Sequence, residues 1–281
     1  MRVGLIQVDG KMPNLALMKL ASFHRKKGDD VTVLDMSHLQ FDRVYASKVF
    51  VGGSGVSLKC ELPQDIEACI PDYEAFKTNY SIGFSSRGCL KERSCGFCIV
   101  KPKEGLIREA PFDWVSHHKV ILLDNNFLGS PLWKEKLEYF IRQKLKTCFT
   151  QGLDIRLINP ENAQLLSQIL YYDLKFTKRR LYFAFDDPKL EPVIIEKVQL
   201  LANYGIKPEH LLFYVIVGFN TSFEEDMRRF EVLDKLGCLP FIKPYNNRKD
   251  VPILNKFARW VNRRYYKVCT WVDFQKGKRG V

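Results

Sequence analysis

The chain has no long apolar run. Behind Met1, the stretch Arg2 to Val8 is short and meets Asp9, Gly10 and Lys11 at once, so it reads as a first strand, neither a signal peptide nor a membrane span. Nothing marks the chain as secreted, which disfavours disulfides and makes a reducing, cytoplasmic setting the expectation for its eight cysteines. Acidic residues are in short supply: 32 Asp plus Glu face 44 Lys plus Arg, a formal charge of +12. That balance suits anionic partners such as nucleic acid. The basic clusters Arg25-Lys26-Lys27, Lys178-Arg179-Arg180, Arg263-Arg264 and Lys276-Gly277-Lys278-Arg279 are dispersed, however, as ordinary solvated helix faces also are. Hydrophobic residues make up 46% of the chain, enough for a real core rather than a disordered segment.

Against this background three cysteines stand close together. Cys89, Cys95 and Cys98 follow an apolar stretch, Tyr80 to Phe84, that reads as a strand. Three soft thiolates within ten residues point to a metal or cluster site on the loop leaving that strand. A 4Fe–4S cluster normally takes four cysteines, so three would leave one iron open to a non-protein ligand. A structural Cys3His zinc site completed by His117 or His118 is the other reading, although the second short knuckle usual for zinc is missing. Cys60, Cys69, Cys148, Cys238 and Cys269 are scattered and read as small buried hydrophobes.

The strand-and-helix rhythm is α/β throughout. At the N-terminus, Arg2 to Val8, Val31 to Leu34 and Ala46 to Val51 read as strands. Asn14 to Lys27 reads as a helix closed by Gly28. From Tyr80 onward six strands are expected: Tyr80–Ser85, Lys119–Leu123, Thr147–Thr150, Leu181–Phe185, Leu211–Val217 and Leu239–Lys243. Helical stretches at Leu132–Leu145, Glu161–Tyr171, Pro192–Tyr204 and Ser222–Leu236 separate them and imply a parallel sheet with right-handed crossovers. Residues 251–281 read as a helix with Phe257, Trp260 and Val261 on one face, followed by an aromatic-basic tail that packs on the core. The organisation expected is 1–75, 76–250 and 251–281.

The cysteine loop resembles that of the radical S-adenosylmethionine (SAM) superfamily. The resemblance rests on the three cysteines, on Phe97 directly before the last of them, and on Arg87-Gly88 and Ile99-Val100-Lys101-Pro102-Lys103-Glu104-Gly105, which look like the methylthiotransferase-like branch. Five residues separate Cys89 from Cys95, where three are usual. The resemblance implies a six-stranded partial (β/α) barrel of parallel strands with the cluster loop after its first strand. The small N-terminal Rossmann-like domain is similar to a shortened cobalamin-binding domain. It lacks the Asp-x-His-x-x-Gly signature, and Gly52-Gly53 is too little for a nucleotide site, so no cofactor is expected there.

What the resemblance implies for function is a 4Fe–4S cluster on Cys89, Cys95 and Cys98, with SAM on the open iron. Reduction would cleave SAM to a 5′-deoxyadenosyl radical for hydrogen abstraction from a substrate that the sequence does not reveal. Phe97, Asn125, Asn126, Arg156, Asp186 and Gly218 are the implied cofactor-binding residues. Polar groups after each strand, among them Gln151, Asp154 and Tyr245-Asn246-Asn247, cluster where ligands bind in such folds. A low-potential electron donor of the flavodoxin or ferredoxin type is implied as partner. The competing hypothesis is a basic nucleic-acid-binding protein whose three-cysteine metal site is structural.

Overall fold

The computed structural model describes residues 1–34, 40–48, 62–90, 95–247 and 251–277. Contacts divide the chain into two compact units, Met1–Phe84 with Pro111–Ile121, and Ser85–Ala110 with Leu122–Val281. The expected boundary at 75/76 falls inside the first unit, and the C-terminal segment joins the second.

The first unit begins with β1 (Arg2–Gln7), α1 (Leu15–Lys26), β2 (Asp30–Leu34), β3 (Arg43–Ser47) and β4 (Ser81–Gly83). Its parallel sheet has the order β2–β1–β3, with α1 as the crossover between β1 and β2. Asn14 starts α1 by accepting the N–H groups of Ala16 and Leu17, and Leu17, Leu20 and Ala21 are buried with Val3, Leu5 and Tyr45. The third strand runs Arg43–Ser47 rather than Ala46 to Val51, because Tyr45 pairs in register with Leu5. Residues 49–61, including Gly52-Gly53, lie outside the described residues.

The chain enters the second unit with β5 (Ser86–Arg87), α2 (Val100–Glu104) and β6 (Arg108–Glu109), and returns to it for good along β7 (Lys119–Leu122). There follow α3 (Trp133–Arg142), β8 (Lys146–Phe149), α4 (Pro160–Gln168), β9 (Leu170–Tyr171), β10 (Leu181–Ala184) and α5 (Glu191–Asn203). The last elements are β11 (Leu211–Val217), α6 (Phe223–Lys235), β12 (Leu239–Pro244), α7 (Pro252–Asn262) and α8 (Trp271–Gln275). The six strands expected after residue 80 are thus present as β4, β7, β8, β10, β11 and β12, with ends shifted by a residue or two.

The architecture is α/β with several parallel sheets. β10–β11–β12 form one, and β8 pairs with the short β9. β8 and β10 share no described ladder; their neighbourhood is marked by the Leu153 N–H donating to Tyr182 O at 2.7 Å. The helix expected to reach Tyr171 stops at Gln168, since Leu170 and Tyr171 are taken by β9. Capping boxes start α4 (Asn159 with Asn162) and α6 (Ser222 with Glu225). α7 closes the edge of β12: the Asn262 amide accepts the Ile242 N–H and donates to its carbonyl, both at 2.8 Å. No helix among the described residues is long and apolar enough to cross a membrane.

Candidate functional site

The cysteine loop is rooted in a buried polar knot. Asp124, only 2% exposed, accepts the Ser85 N–H at 2.7 Å and the Ser85 and Ser86 hydroxyls at 2.6 and 2.7 Å. Burial raises the pKa of this carboxyl, while those donors and the Lys136 charge oppose the rise. Lys136, also buried, donates to the Ser85 carbonyl and the Ser130 hydroxyl and pairs with Glu109.

Beyond the knot a clasp closes the loop. β5 pairs antiparallel with β6, Arg87 binds Glu104 through two bonds of 2.9 and 3.0 Å, and Cys89 bridges Leu106. The Arg87 hydrogen bonds hold the Glu104 carboxyl below its ordinary pKa. Only glycine fits position 88, where φ is +86° and a Cβ would stand 2.3 Å from the Leu106 carbonyl oxygen. Asn125 completes the clasp by accepting the Gly88 N–H at 3.0 Å.

Cys89, Cys95 and Cys98 are free thiols and line one cavity of about 440 Å³ within the second unit. Its other walls come from segments that follow strands: Asn125 and Asn126 after β7, Gln151 to Arg156 after β8, Ala184 and Asp186 at the end of β10, and Phe219 to Thr221 after β11. This is the carboxyl end of the parallel strands, where α/β folds bind ligands. The Cys98 N–H donates to the Cys95 carbonyl at 2.9 Å, and the Val100 N–H to Cys98 Sγ at 3.4 Å. Cys95 reaches the surface, yet partial enclosure of its thiol and the adjacent Cys98 raise its pKa against the pull of Arg156. Phe97 packs edge-on against Phe219 with ring centres 5.4 Å apart.

The residues singled out from the sequence divide by what they touch. Asn126 is buried; its Nδ2 donates to Cys89 Sγ at 3.8 Å, while its Oδ1 has no hydrogen-bond partner. Arg156 lines the cavity and is bound bidentately to Asp154 at 2.8 and 2.9 Å. Asp186 accepts the Ile216 N–H at 2.8 Å, and burial raises its pKa. Gly218 does not line the cavity. It turns the chain after β11 at φ +75°, donating its N–H to Asp226, and a Cβ there would meet Leu254 at 2.4 Å. Neither His117 nor His118 lines the cavity, and the His117 ring is engaged by Ser81 and Ser116. Residues 91–94, inside the first cysteine gap, lie outside the described residues.

Sequence reasoning missed the pair that braces two of the walls. Arg229 on α6 is fully buried and donates to the carbonyls of Phe185 (2.6 Å) and Ile216 (2.8 Å), joining the ends of β10 and β11. It also binds Asp226, whose carboxylate takes the Thr221 hydroxyl at 2.7 Å and the Gly218 N–H at 3.1 Å. In the run Glu224-Glu225-Asp226-Met227-Arg228-Arg229 these two residues look like part of a solvated face. Their one sequence signal is position, on the turn flanked by buried Phe230 and Leu233.

Three cysteine thiols, deprotonated as ligands, are a soft donor set suited to iron–sulfur or zinc. Among the described residues no three His, Cys, Asp or Glu side chains are grouped closely enough to hold an ion. The three thiols nevertheless share one cavity, and the unpartnered Asn126 oxygen beside them is a buried acceptor that a ligand would satisfy. On donor chemistry and on this orphaned group the site fits a cluster with a polar co-ligand. No protein-family model matches the chain, and comparison with curated proteins and with solved structures gives no match.

Proposed function

We propose that the chain is a radical SAM enzyme, with Cys89, Cys95 and Cys98 as ligands of a 4Fe–4S cluster. The observation that carries this reading is that the three free thiols face one cavity at the carboxyl ends of parallel strands, beside an unpartnered buried amide oxygen. Its volume of about 440 Å³ is in the usual range of small-molecule sites, roughly 300–1,000 Å³. When bound, the reduced cluster supplies the electron that cleaves SAM to methionine and a 5′-deoxyadenosyl radical.

The chain's own residues then bind, orient and exclude water. The clasp from Ser85 to Cys89 fixes the first thiolate. Asn126 Oδ1 accepts an N–H of the ligand, Asp186 offers a second acceptor, and Arg156, held by Asp154, keeps a cation on the same wall. Phe97 and Phe219 shield the cavity with apolar surface. In this reading the six strands make a partial barrel, a low-potential flavodoxin or ferredoxin is the partner, and the basic surface favours an anionic substrate or one carried on nucleic acid.

Anaerobic reconstitution tests the proposal. About four irons with sulfide per chain, and 5′-deoxyadenosine after dithionite and SAM, are expected. Cys95→Ala should lose iron and product, and Cys148→Ala should keep both. One zinc per chain with no product would favour a basic nucleic-acid-binding protein with a structural metal site.

A further inference from the structure

A second cavity of the same unit, about 600 Å³, shares no lining residue with the cysteine site. It lies between α6 and the segment that follows α7. Met227, Phe230, Glu231 and Asp234 are three or four residues apart and so occupy one side of α6. Arg264, at φ +59°, turns the chain after α7. The Lys267–Asp234 pair at 2.6 Å and the Phe230–Tyr266 ring contact at 5.1 Å then tie the returning segment to that side of α6. Trp260, 5% exposed, forms the floor. Tyr266 and Trp271 are half-buried and meet it with ring centres 6.0 and 5.5 Å away and planes tilted by 69° and 55°. They make no ring contact with each other among the described residues, so they stand apart as walls. Rings that served only to pack the C-terminal segment would close over this space.

The polar groups of the recess are mostly engaged. Trp260 Nε1 donates to the Cys269 carbonyl at 3.1 Å, and the Thr270 hydroxyl donates to Asp273 at 2.7 Å. Of the two charged side chains in the lining, Lys267 is bound to Asp234, and its ammonium lies 4.8 Å from the Tyr266 ring centre. Glu231 is exposed and has no ion pair among the described residues, since the adjacent Arg228 is held by Glu191. We infer that this cavity binds a trimethylammonium group. Indole and phenol faces attract a cation, and the Glu231 carboxylate at the mouth supplies the opposite charge. A bare ammonium or a guanidinium brings three or five N–H donors, which this lining would leave unpaired at a cost. Full methylation removes those donors, keeps the charge and presents methyl groups to the rings. Two sources carry such a group, a small molecule such as choline and a methylated lysine side chain of another protein. The inference is independent of the chemistry at the cysteines.

Calorimetry on the full chain compares choline with its neutral carbon isostere, in which carbon replaces the quaternary nitrogen. A second pair of probes is a trimethyl-lysine peptide and the same peptide with unmodified lysine. Choline should bind at least about tenfold more tightly than the isostere, and the methylated peptide should exceed the unmodified one by a similar factor. Glu231→Gln should weaken choline by about three- to tenfold, and Trp271→Leu, which keeps apolar bulk but removes the ring, by about tenfold. Glu231 is exposed, so that variant should melt with the wild type and decides the matter even if Trp271→Leu does not fold. A methylated peptide that binds more tightly than choline assigns the group to a protein partner, and the reverse assigns it to a small molecule. Equal binding of choline and its isostere would reduce the cavity to a plain apolar recess and overturn the inference. So would the absence of binding by either trimethylammonium probe, or choline affinity unchanged by Glu231→Gln.

Discussion

At the scale of single residues, Arg229 and Asp226 form a wholly buried ion pair whose further hydrogen bonds go to the ends of β10 and β11 and to the turn that follows β11. Removing the cation leaves a buried carboxylate uncompensated, which costs about 3–5 kcal/mol. Arg229→Met should therefore lower unfolding free energy by about that amount in urea titrations of the iron-free chain. A loss below about 1 kcal/mol would show that the pair is not holding β10 to β11. Asn126 should behave in the opposite way. Its Oδ1 satisfies nothing in the ligand-free chain, so Asn126→Leu should cost no more than about 1 kcal/mol of stability. SAM affinity, measured by calorimetry on the reconstituted variant, should nonetheless collapse. The cysteines and the residues after each strand were legible in the sequence because ligand chemistry and strand ends carry local signals. Arg229 was not, because a buried arginine's reason for burial is two carbonyls 44 and 13 residues away.

At the scale of elements, apolar runs gave away the strands, and periodicity gave away the helices. The hairpin of β5 and β6 was invisible, since two-residue strands of polar composition have no alternation to read. Yet that hairpin clasps the cysteine loop, and it depends on Gly88. Gly88→Ala meets backbone at 2.3 Å and must also adopt a left-handed φ, a combination costing about 1–3 kcal/mol or opening the clasp. We expect poor iron uptake on reconstitution and faster amide exchange through 86–89 and 106–109, with the protection of β10–β12 unchanged. Which strands share a sheet was equally illegible, because hydrophobic patterns say which residues form strands and not which strands share a ladder.

At the scale of the whole molecule, acid should weaken the fold through His210. Burial, then the nearby Arg179 charge, hold this imidazole below the ordinary histidine value of 6.5, while its Nδ1 contacts the Tyr171 hydroxyl at 2.9 Å. The unfolded chain therefore takes up the proton first as pH falls. Stability is full above about 6.5 and declines below it. Urea titrations between pH 7.5 and about 5 should show that slope, and His210→Gln should flatten it. A slope unchanged by that substitution would remove His210 as its cause. On charge, the sequence offered only the net value. The structure shows part of that charge already committed, since Arg179 lies 3.7 Å from the Tyr171 ring centre and Arg180 donates to the Glu209 carbonyl.

The two units interleave along the chain, and this has a genetic consequence. Leaving the first unit at Phe84, the polypeptide builds the cysteine clasp and comes back for Pro111–Ile121 before leaving again. No single truncation point can then separate the units. A gene fragment for residues 76–281 would carry β4 and 111–121 as orphans, and one ending at residue 84 would lack the segment that returns. Splitting the gene cleanly would require removing the cysteine-bearing segment as an insert, so lineages that shuffle whole domains by recombination would find few permissive joints here. Mutational drift, more than domain exchange, is the route open to such a chain for acquiring a new partner or substrate.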